Sequence, residues 1–228
     1  MKIAIWFIAA VVSYLIAGVN ASILLSKLIY KQDIRTVGSK NPGFTNFKRV
    51  YGWKFAWLVL LIDVSKAVLP CLIFGLAFRS IGVLNTADYE VGSMFTGNNF
   101  SLGASFAGIF AMLGHAYPVW YRFRGGKAFL VAATAVWFID WRVGLICAAI
   151  FLLLLFTVQI MSISSMSAGI ACPVAVALVP GACAHPVVLI CCILGALLLI
   201  WRHKPNIIRL VQGNESKFKL FGKTKEQK

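Results

Sequence analysis

The sequence predicts an all-α polytopic membrane protein of seven transmembrane helices, with its N-terminus outside and its C-terminus in the cytoplasm. Three observations lead there. Of the 228 residues, 60% are hydrophobic, against about 45–50% in soluble domains. The apolar residues fall in blocks, several of them near the ~20 helical residues that cross a hydrocarbon core of ~30 Å. Finally, 18 of the 22 Lys/Arg residues lie in three stretches: Lys27 to Lys54, Arg122 to Lys127, and Arg202 to Lys228. Basic loops stay in the cytoplasm, so these stretches share one side. An odd number of spans puts them there. Residues 1–228 read as a single integral membrane domain with a basic cytoplasmic tail at 202–228.

The spans follow in order. The first runs from about Ile3 to Leu25. Val19-Asn20-Ala21 looks like a signal-peptide cleavage site. The apolar run is longer than the ~7–15 residues of such peptides and a basic segment follows, so the segment reads as a retained helix. The second span is Trp53 to Phe78, followed by a polar exterior loop with Asp88, Glu90, Gly97, Asn98 and Asn99. The third, Leu102 to Trp120, returns to the Arg/Gly loop. The fourth, Ala128 to Ile139, turns at Asp140-Trp141-Arg142 into the fifth, Val143 to Met161. The sixth, Ala168 to Val179, ends at Pro180-Gly181, and the seventh is Pro186 to Trp201. Spans four and six hold about 12 residues each, or ~18 Å. They cross only if extended into Gly126-Lys127 and Ser162 to Ser167. Five spans with those two segments re-entrant is the alternative topology.

The six cysteines lie in or beside apolar spans without Cys-x-x-Cys spacing. They read as small buried apolar residues, with no metal site and no Cys172–Cys183 disulfide expected.

Four polar constellations fall on the cytoplasmic side or inside a span. Asp33-Ile34-Arg35-Thr36-Val37-Gly38-Ser39-Lys40-Asn41-Pro42-Gly43-Phe44-Thr45-Asn46 is dense in turn formers. Its N–H and hydroxyl groups suit a phosphate or polyol, and an ordinary connector reads equally well. Asp63 and Lys66 stand three apart inside the second span. Intramembrane charges face the protein interior and are functional hypotheses by default. The two either pair with each other or orient a substrate phosphate. Gly114-His115-Ala116-Tyr117-Pro118-Val119-Trp120-Tyr121-Arg122-Phe123-Arg124-Gly125-Gly126-Lys127 combines a histidine, three cations and a Gly-Gly pair, the makings of an anion site. In the tail, His203, Asn206 and Arg209 recur at three-residue spacing before Glu215. They share a face if a helix continues past Pro205; a basic helix lying on anionic lipid is the competing reading. A serine cluster, Ser162 to Ser167, closes span five.

GSKNPGFTN after Asp33-Ile34-Arg35, Asp63 with Lys66, GHAYPVWYRFRGGK, SISSMS and HKPNIIRLVQGNESKF occur in one order over nearly the whole chain. Together they resemble the bacterial acyl-phosphate:glycerol-3-phosphate acyltransferase (PlsY) family. The resemblance implies a seven-span enzyme of the bacterial inner membrane with its active site facing the cytoplasm. It implies transfer of a fatty acyl group from acyl phosphate to the 1-hydroxyl of glycerol 3-phosphate, giving lysophosphatidic acid and phosphate. Under it the catalytic set is Ser39, His115, Lys127, His203 and Asn206. The substrate- and phosphate-binding set is Arg35, Gly38, Asn41, Gly43, Thr45, Asn46, Arg49, Asp63, Lys66, Arg124, Gly125, Gly126, Ser164, Arg209 and Glu215. The expected partners are the two substrates and membrane lipid, with no nucleic acid, cofactor or metal; the oligomeric state stays open. Members usually read Gly-Gly-Lys-Gly, whereas Ala128 follows Lys127 here. Two other classes stay open. One is a small organophosphate or anion transporter, which the broken spans suit but the one-sided clustering of polar motifs does not. The other is a non-enzymatic scaffold, for which the polar set is superfluous.

Overall fold

A computed structural model describes residues 2–84 and 98–218, which are helical apart from turns and short loops. The helices are α1 (Lys2–Gly18), α2 (Ala21–Tyr30), α3 (Phe44–Tyr51), α4 (Ala56–Ile81), α5 (Asn98–Ala116), α6 (Phe129–Ile139), α7 (Trp141–Thr157), α8 (Met161–Leu178), α9 (Pro186–Arg202) and α10 (Lys204–Val211). Most of the expected exterior loop lies outside the described residues, and Asn98 and Asn99 open α5.

Each apolar block of the sequence is helical, the first as two helices, α1 and α2. Four stretches are long and apolar enough to cross a membrane: Lys2–Tyr30, Ala56–Ile81, Asn98–Tyr121 and Met161–Leu178. Joining α9 to α10 across their 56° bend gives a fifth. The short apolar helices are α6 and α7 rather than the fourth and sixth blocks, because the sixth starts at Met161 and takes in the serine cluster. Ser162, Ser164 and Ser165 continue its helical backbone, which carries the sixth segment to 18 residues.

The bundle is organised around α5, most of which is buried. Its small residues make this possible. A Cβ on Gly103 would meet the Phe74 carbonyl of α4, and one on Gly114 would meet the Tyr14 carbonyl of α1. Small residues let helix backbones approach where lipid offers no hydrophobic drive for association. Trp6 packs edge-on against Phe78 and Phe106, at 4.8 and 4.7 Å between ring centres, locking α1 to α4 and α5. Large apolar side chains such as Leu153, Leu178 and Leu197 face outward, as lipid contact requires. Asp140 caps α7 by accepting from the Arg142 N–H at 2.8 Å, which makes the turn between α6 and α7 abrupt.

Candidate active site

One cavity of about 870 Å³ runs from the loops at the α3 and α10 end of the bundle into its apolar interior. Its mouth is lined by Ser39, Asn41, Thr45, Arg49, Lys127, His203, Asn206, Arg209 and Glu215. Deeper, Met112, Ala132, Phe151, Leu155, Cys172 and Leu199 give it an apolar wall. Cys172 lies ten residues along α8 from Ser162, hence ~15 Å below the mouth.

The first wall is the loop before α3. Asp33 caps a short 3-10 turn, Ile34–Thr36, through the Arg35 N–H at 3.0 Å. Gly38 then takes a left-handed backbone (φ +57°), which a side chain disfavours, and a Cβ there would strike the Asn46 amide. Asn46 latches this turn to α3. Its Oδ1 accepts from the Ser39 N–H at 2.8 Å, and its Nδ2 donates to the Val37 carbonyl at 3.1 Å. Ser39 is thereby held at the cavity by a buried side chain seven residues on.

The second wall is the loop between α5 and α6. Here the glycines act otherwise than the sequence reading expects. Neither Gly125 nor Gly126 has a positive φ. Their N–H groups donate to the Ala116 and His115 carbonyls at 3.2 and 3.0 Å, so they are not offered to an anion. Their carbonyls accept from the Arg202 guanidinium at 2.8 and 3.0 Å. What demands glycine is close approach: a Cβ on Gly126 would meet the His115 ring, and one on Gly125 the His115 carbonyl. The pair is a brace that stacks the loop on the end of α5 and projects Lys127 into the cavity.

The third wall comes from α8 to α10. The chain bends by 56° between α9 and α10, with His203 at the bend. His203 Nδ1 is 2.8 Å from the Leu199 carbonyl. A carbonyl only accepts, so Nδ1 carries the proton, and in the neutral ring Nε2 accepts from Ser165 Oγ at 3.1 Å. One turn on, Asn206 donates to Glu215 Oε1 at 2.5 Å. The same carboxylate accepts from Ser162 at 2.8 Å and from Arg209 Nε at 2.7 Å. Glu215 thus folds the segment after α10 back over the mouth. Among the described residues, Asn206 Oδ1 and His115 Nδ1 are buried polar atoms without a hydrogen-bond partner, and both residues line the cavity.

The electrostatics favour an anionic guest. Arg49, Lys127 and Arg209 share the mouth with one carboxylate, Glu215; the other carboxylate of the lining, Asp63, is paired with Lys66. Burial pulls the Lys127 ammonium down to about 8; Glu215 opposes this, and Arg209, Arg49 and Arg202 add to it. Burial alone would raise the Glu215 carboxyl. The hydrogen bonds from Asn206, Ser162 and Arg209 outweigh it and hold the group below its ordinary range.

The structure brings together Gly38, Ser39, Asn41, Gly43, Thr45, Asn46, Arg49, Asp63, His115, Lys127, His203, Asn206, Arg209 and Glu215 around the cavity. Six expected residues do not line it. Arg35 pairs with Asp33 at 2.6 Å and donates to the Tyr121 carbonyl at 3.1 Å, stitching two loops together. Arg124 is exposed. Gly125 and Gly126 brace, as described. Lys66 is held within the membrane by Asp63 at 2.8 Å and the Val19 carbonyl at 2.9 Å. Ser164 turns back to the Ile160 carbonyl at 3.1 Å. Glu215 is at the site, where it accepts from Ser162, Asn206 and Arg209.

Comparison with known proteins decides the family. A family model described as glycerol-3-phosphate acyltransferase matches residues 7–213. The chain belongs to the glycerol-3-phosphate acyltransferase family. A relative of that name from Staphylococcus saprophyticus is 35% identical, covering 93% of this chain and 97% of its own. Another from Staphylococcus carnosus is 33% identical over 91% and 95%. The crystal structure of PlsY (YgiH), an integral membrane glycerol 3-phosphate acyltransferase, in its glycerol 3-phosphate form superposes with a TM-score of 0.77 at 28% identity, covering 94% of this chain and 96% of that one. The transporter reading finds no support among these relatives.

Within this family the chain's Ala128 now has a measurable consequence. It caps α6 in the left-handed region, at φ +61°, which costs an L-residue ~1–2 kcal/mol. Replacing Ala128 by Gly relieves that strain beside Lys127, so turnover is expected to hold or rise, with the melting temperature unchanged or higher. A clear fall in turnover would show that the buried methyl packs usefully there. Sequence reasoning passed over Ser162, Ser165 and Arg202. The signal for the serines was available: Ser162 and Ser165 are three apart and share a helix face, whereas Ser164 falls off it.

Proposed function

We propose that this acyltransferase moves a fatty acyl group from acyl phosphate to the 1-hydroxyl of glycerol 3-phosphate, forming lysophosphatidic acid and inorganic phosphate. The observation that carries the reading is a single cavity with a cationic mouth and an apolar interior, because it accommodates a phosphate, a polyol and a hydrocarbon chain at once. Arg49, Lys127 and Arg209 hold phosphate oxygens. Asn206 Oδ1, a buried acceptor, takes a hydroxyl of glycerol 3-phosphate, and Ser39 borders the same space. The hydroxyl oxygen attacks the acyl carbon, the bond from that carbon to the phosphate oxygen breaks, and the phosphate leaves with its electron pair. The departing phosphate is basic enough to take the hydroxyl proton, so a histidine base is not required. His203 Nε2 is already engaged by Ser165, and His115 is the histidine with a ring nitrogen to spare. Catalysis then rests on positioning and on stabilising developing charge.

In this reading the chain spans the bacterial inner membrane seven times as a single domain, with the basic loops and tail in the cytoplasm. The cavity mouth opens there, where soluble glycerol 3-phosphate is met, and the acyl donor enters from the lipid. Supplying acyl phosphate and acyl thioesters separately tests the donor. Transfer is expected from acyl phosphate alone, and transfer from a thioester in its absence would overturn the assignment.

A further inference from the structure

Asp63 borders the cavity, but its ion pair with Lys66 takes no part in the transfer step described above. We propose that Lys66 and Asp63, acting through Asn20, are positioning residues for the loop that carries Ser39. The first apolar stretch is broken. Helix α1 stops at Gly18 and α2 starts at Ala21; the Ile23 N–H goes to the Asn20 side chain, so the Val19 carbonyl is left without its helical donor where water is scarce. Unpaired carbonyls are costly in that setting. The Lys66 ammonium meets the need by donating to the Val19 carbonyl at 2.9 Å, while Asp63 lies 2.8 Å from the same nitrogen. Both charged side chains are almost fully buried, at 4% and 2% exposure.

The break frees Asn20 to work in two directions. Its Oδ1 caps α2, accepting from the Ile23 N–H at 3.0 Å. Its Nδ2 donates to the Pro42 carbonyl at 3.1 Å. Pro42 has no N–H of its own, so its carbonyl is its one backbone hydrogen-bonding group; it gives the loop a second fastening, three residues beyond the Ser39 N–H that Asn46 holds. The Pro42 carbonyl also sits against Gly126, where an added Cβ would come within 3.0 Å of it. The membrane ion pair therefore fixes the helix break, the break fixes Asn20, and Asn20 sets the Ser39 loop against the Lys127 loop. A pair with a purely structural role is generally replaceable by apolar groups without loss of stability; a positioning role is not.

This inference rests on the acyltransferase reading, and its test separates the two. Lys66→Met, Lys66→Arg and Asn20→Ser are purified in detergent. For each, both KM values, the melting temperature and the calorimetric affinity for glycerol 3-phosphate are measured. Lys66→Met and Asn20→Ser are each expected to raise KM and Kd for glycerol 3-phosphate about tenfold, the scale of a lost buried hydrogen bond that orients a substrate. The KM for acyl phosphate stays near the parent's. Lys66→Arg, which keeps the donor and the charge, recovers most of the loss. Asn20→Ser keeps a hydroxyl cap on α2, so its melting temperature holds and unfolding cannot explain its KM. Parental glycerol 3-phosphate constants in Asn20→Ser overturn the proposal. So does a Lys66→Met variant that raises both KM values alike; a lower melting temperature by itself is expected there, because Asp63 is left buried without its partner. A parent protein that binds glycerol 3-phosphate but transfers no acyl group sinks the acyltransferase reading, while the Kd series still decides the positioning. A parent that neither binds nor transfers sinks both.

Discussion

Lys127→Ala is expected to abolish acyl transfer, with a fall of at least ~10²–10³-fold, the range seen when one donor to developing negative charge is removed. The expectation rests on placement. The Gly125-Gly126 brace, tied by two backbone bonds to α5 and by the Arg202 guanidinium to α9, leaves Lys127 projecting into the cavity mouth. Its ammonium is pulled down to about 8 by burial. Phosphate binding favours the charged form, so the sign is fixed. Below about pH 8 the ammonium is already present and KM for glycerol 3-phosphate is at its floor. Above that value the protein must take up a proton to bind, and KM climbs with pH. Arginine keeps its charge throughout this range, so whatever activity Lys127→Arg retains should lose the rise. A Lys127→Ala variant with normal turnover would reduce the loop to a topological anchor.

Glu215→Ala is expected to have the second largest effect. Three side chains converge on this carboxylate: Ser162 at 2.8 Å, Asn206 at 2.5 Å and Arg209 at 2.7 Å. Hydrogen bonds to a charged group are worth ~1.5–3 kcal/mol each when buried. Arg209 is partly exposed, so its share is screened. A loss of about 2–4 kcal/mol in stability is expected, together with a fall in kcat/KM, because Asn206 and Arg209 lose the group that aims them. Glu215→Gln, which keeps an acceptor oxygen but not the charge, should fall between. Thermal melting and steady-state kinetics on the same preparations check both. Unchanged kinetics in Glu215→Ala would mean that Asn206 is aimed by α10 alone.

The all-helical, membrane-type architecture and the grouping of motifs at one end of the bundle were legible because both are set by coarse quantities: the length of an apolar run and the placement of charge. The tail's three-residue spacing placed His203, Asn206 and Arg209 correctly because helical phase decides which side chains meet. The failures have a common physical origin. Glycine's sequence signature is permissiveness, and it does not say whether the freedom serves a ligand, as first read, or the close packing of Gly126 against His115. Arg35 reads as a phosphate ligand until its neighbour Asp33 is seen to claim it. Lys66 is spoken for by a carbonyl 47 residues away, at a helix break that composition does not announce. Four serines in six residues look interchangeable on paper, yet only the face bearing Ser162 and Ser165 meets the cavity.

The central claim is that one cavity joins a phosphate-binding mouth to an acyl-binding interior for direct transfer. The purified protein in detergent, supplied with palmitoyl phosphate and glycerol 3-phosphate, tests it most directly when released phosphate and lysophosphatidic acid are counted together. The account predicts one phosphate per lysophosphatidic acid, with neither formed when either substrate is withheld. No release from the two substrates together, with organophosphate uptake by liposomes carrying the same protein, would contradict it.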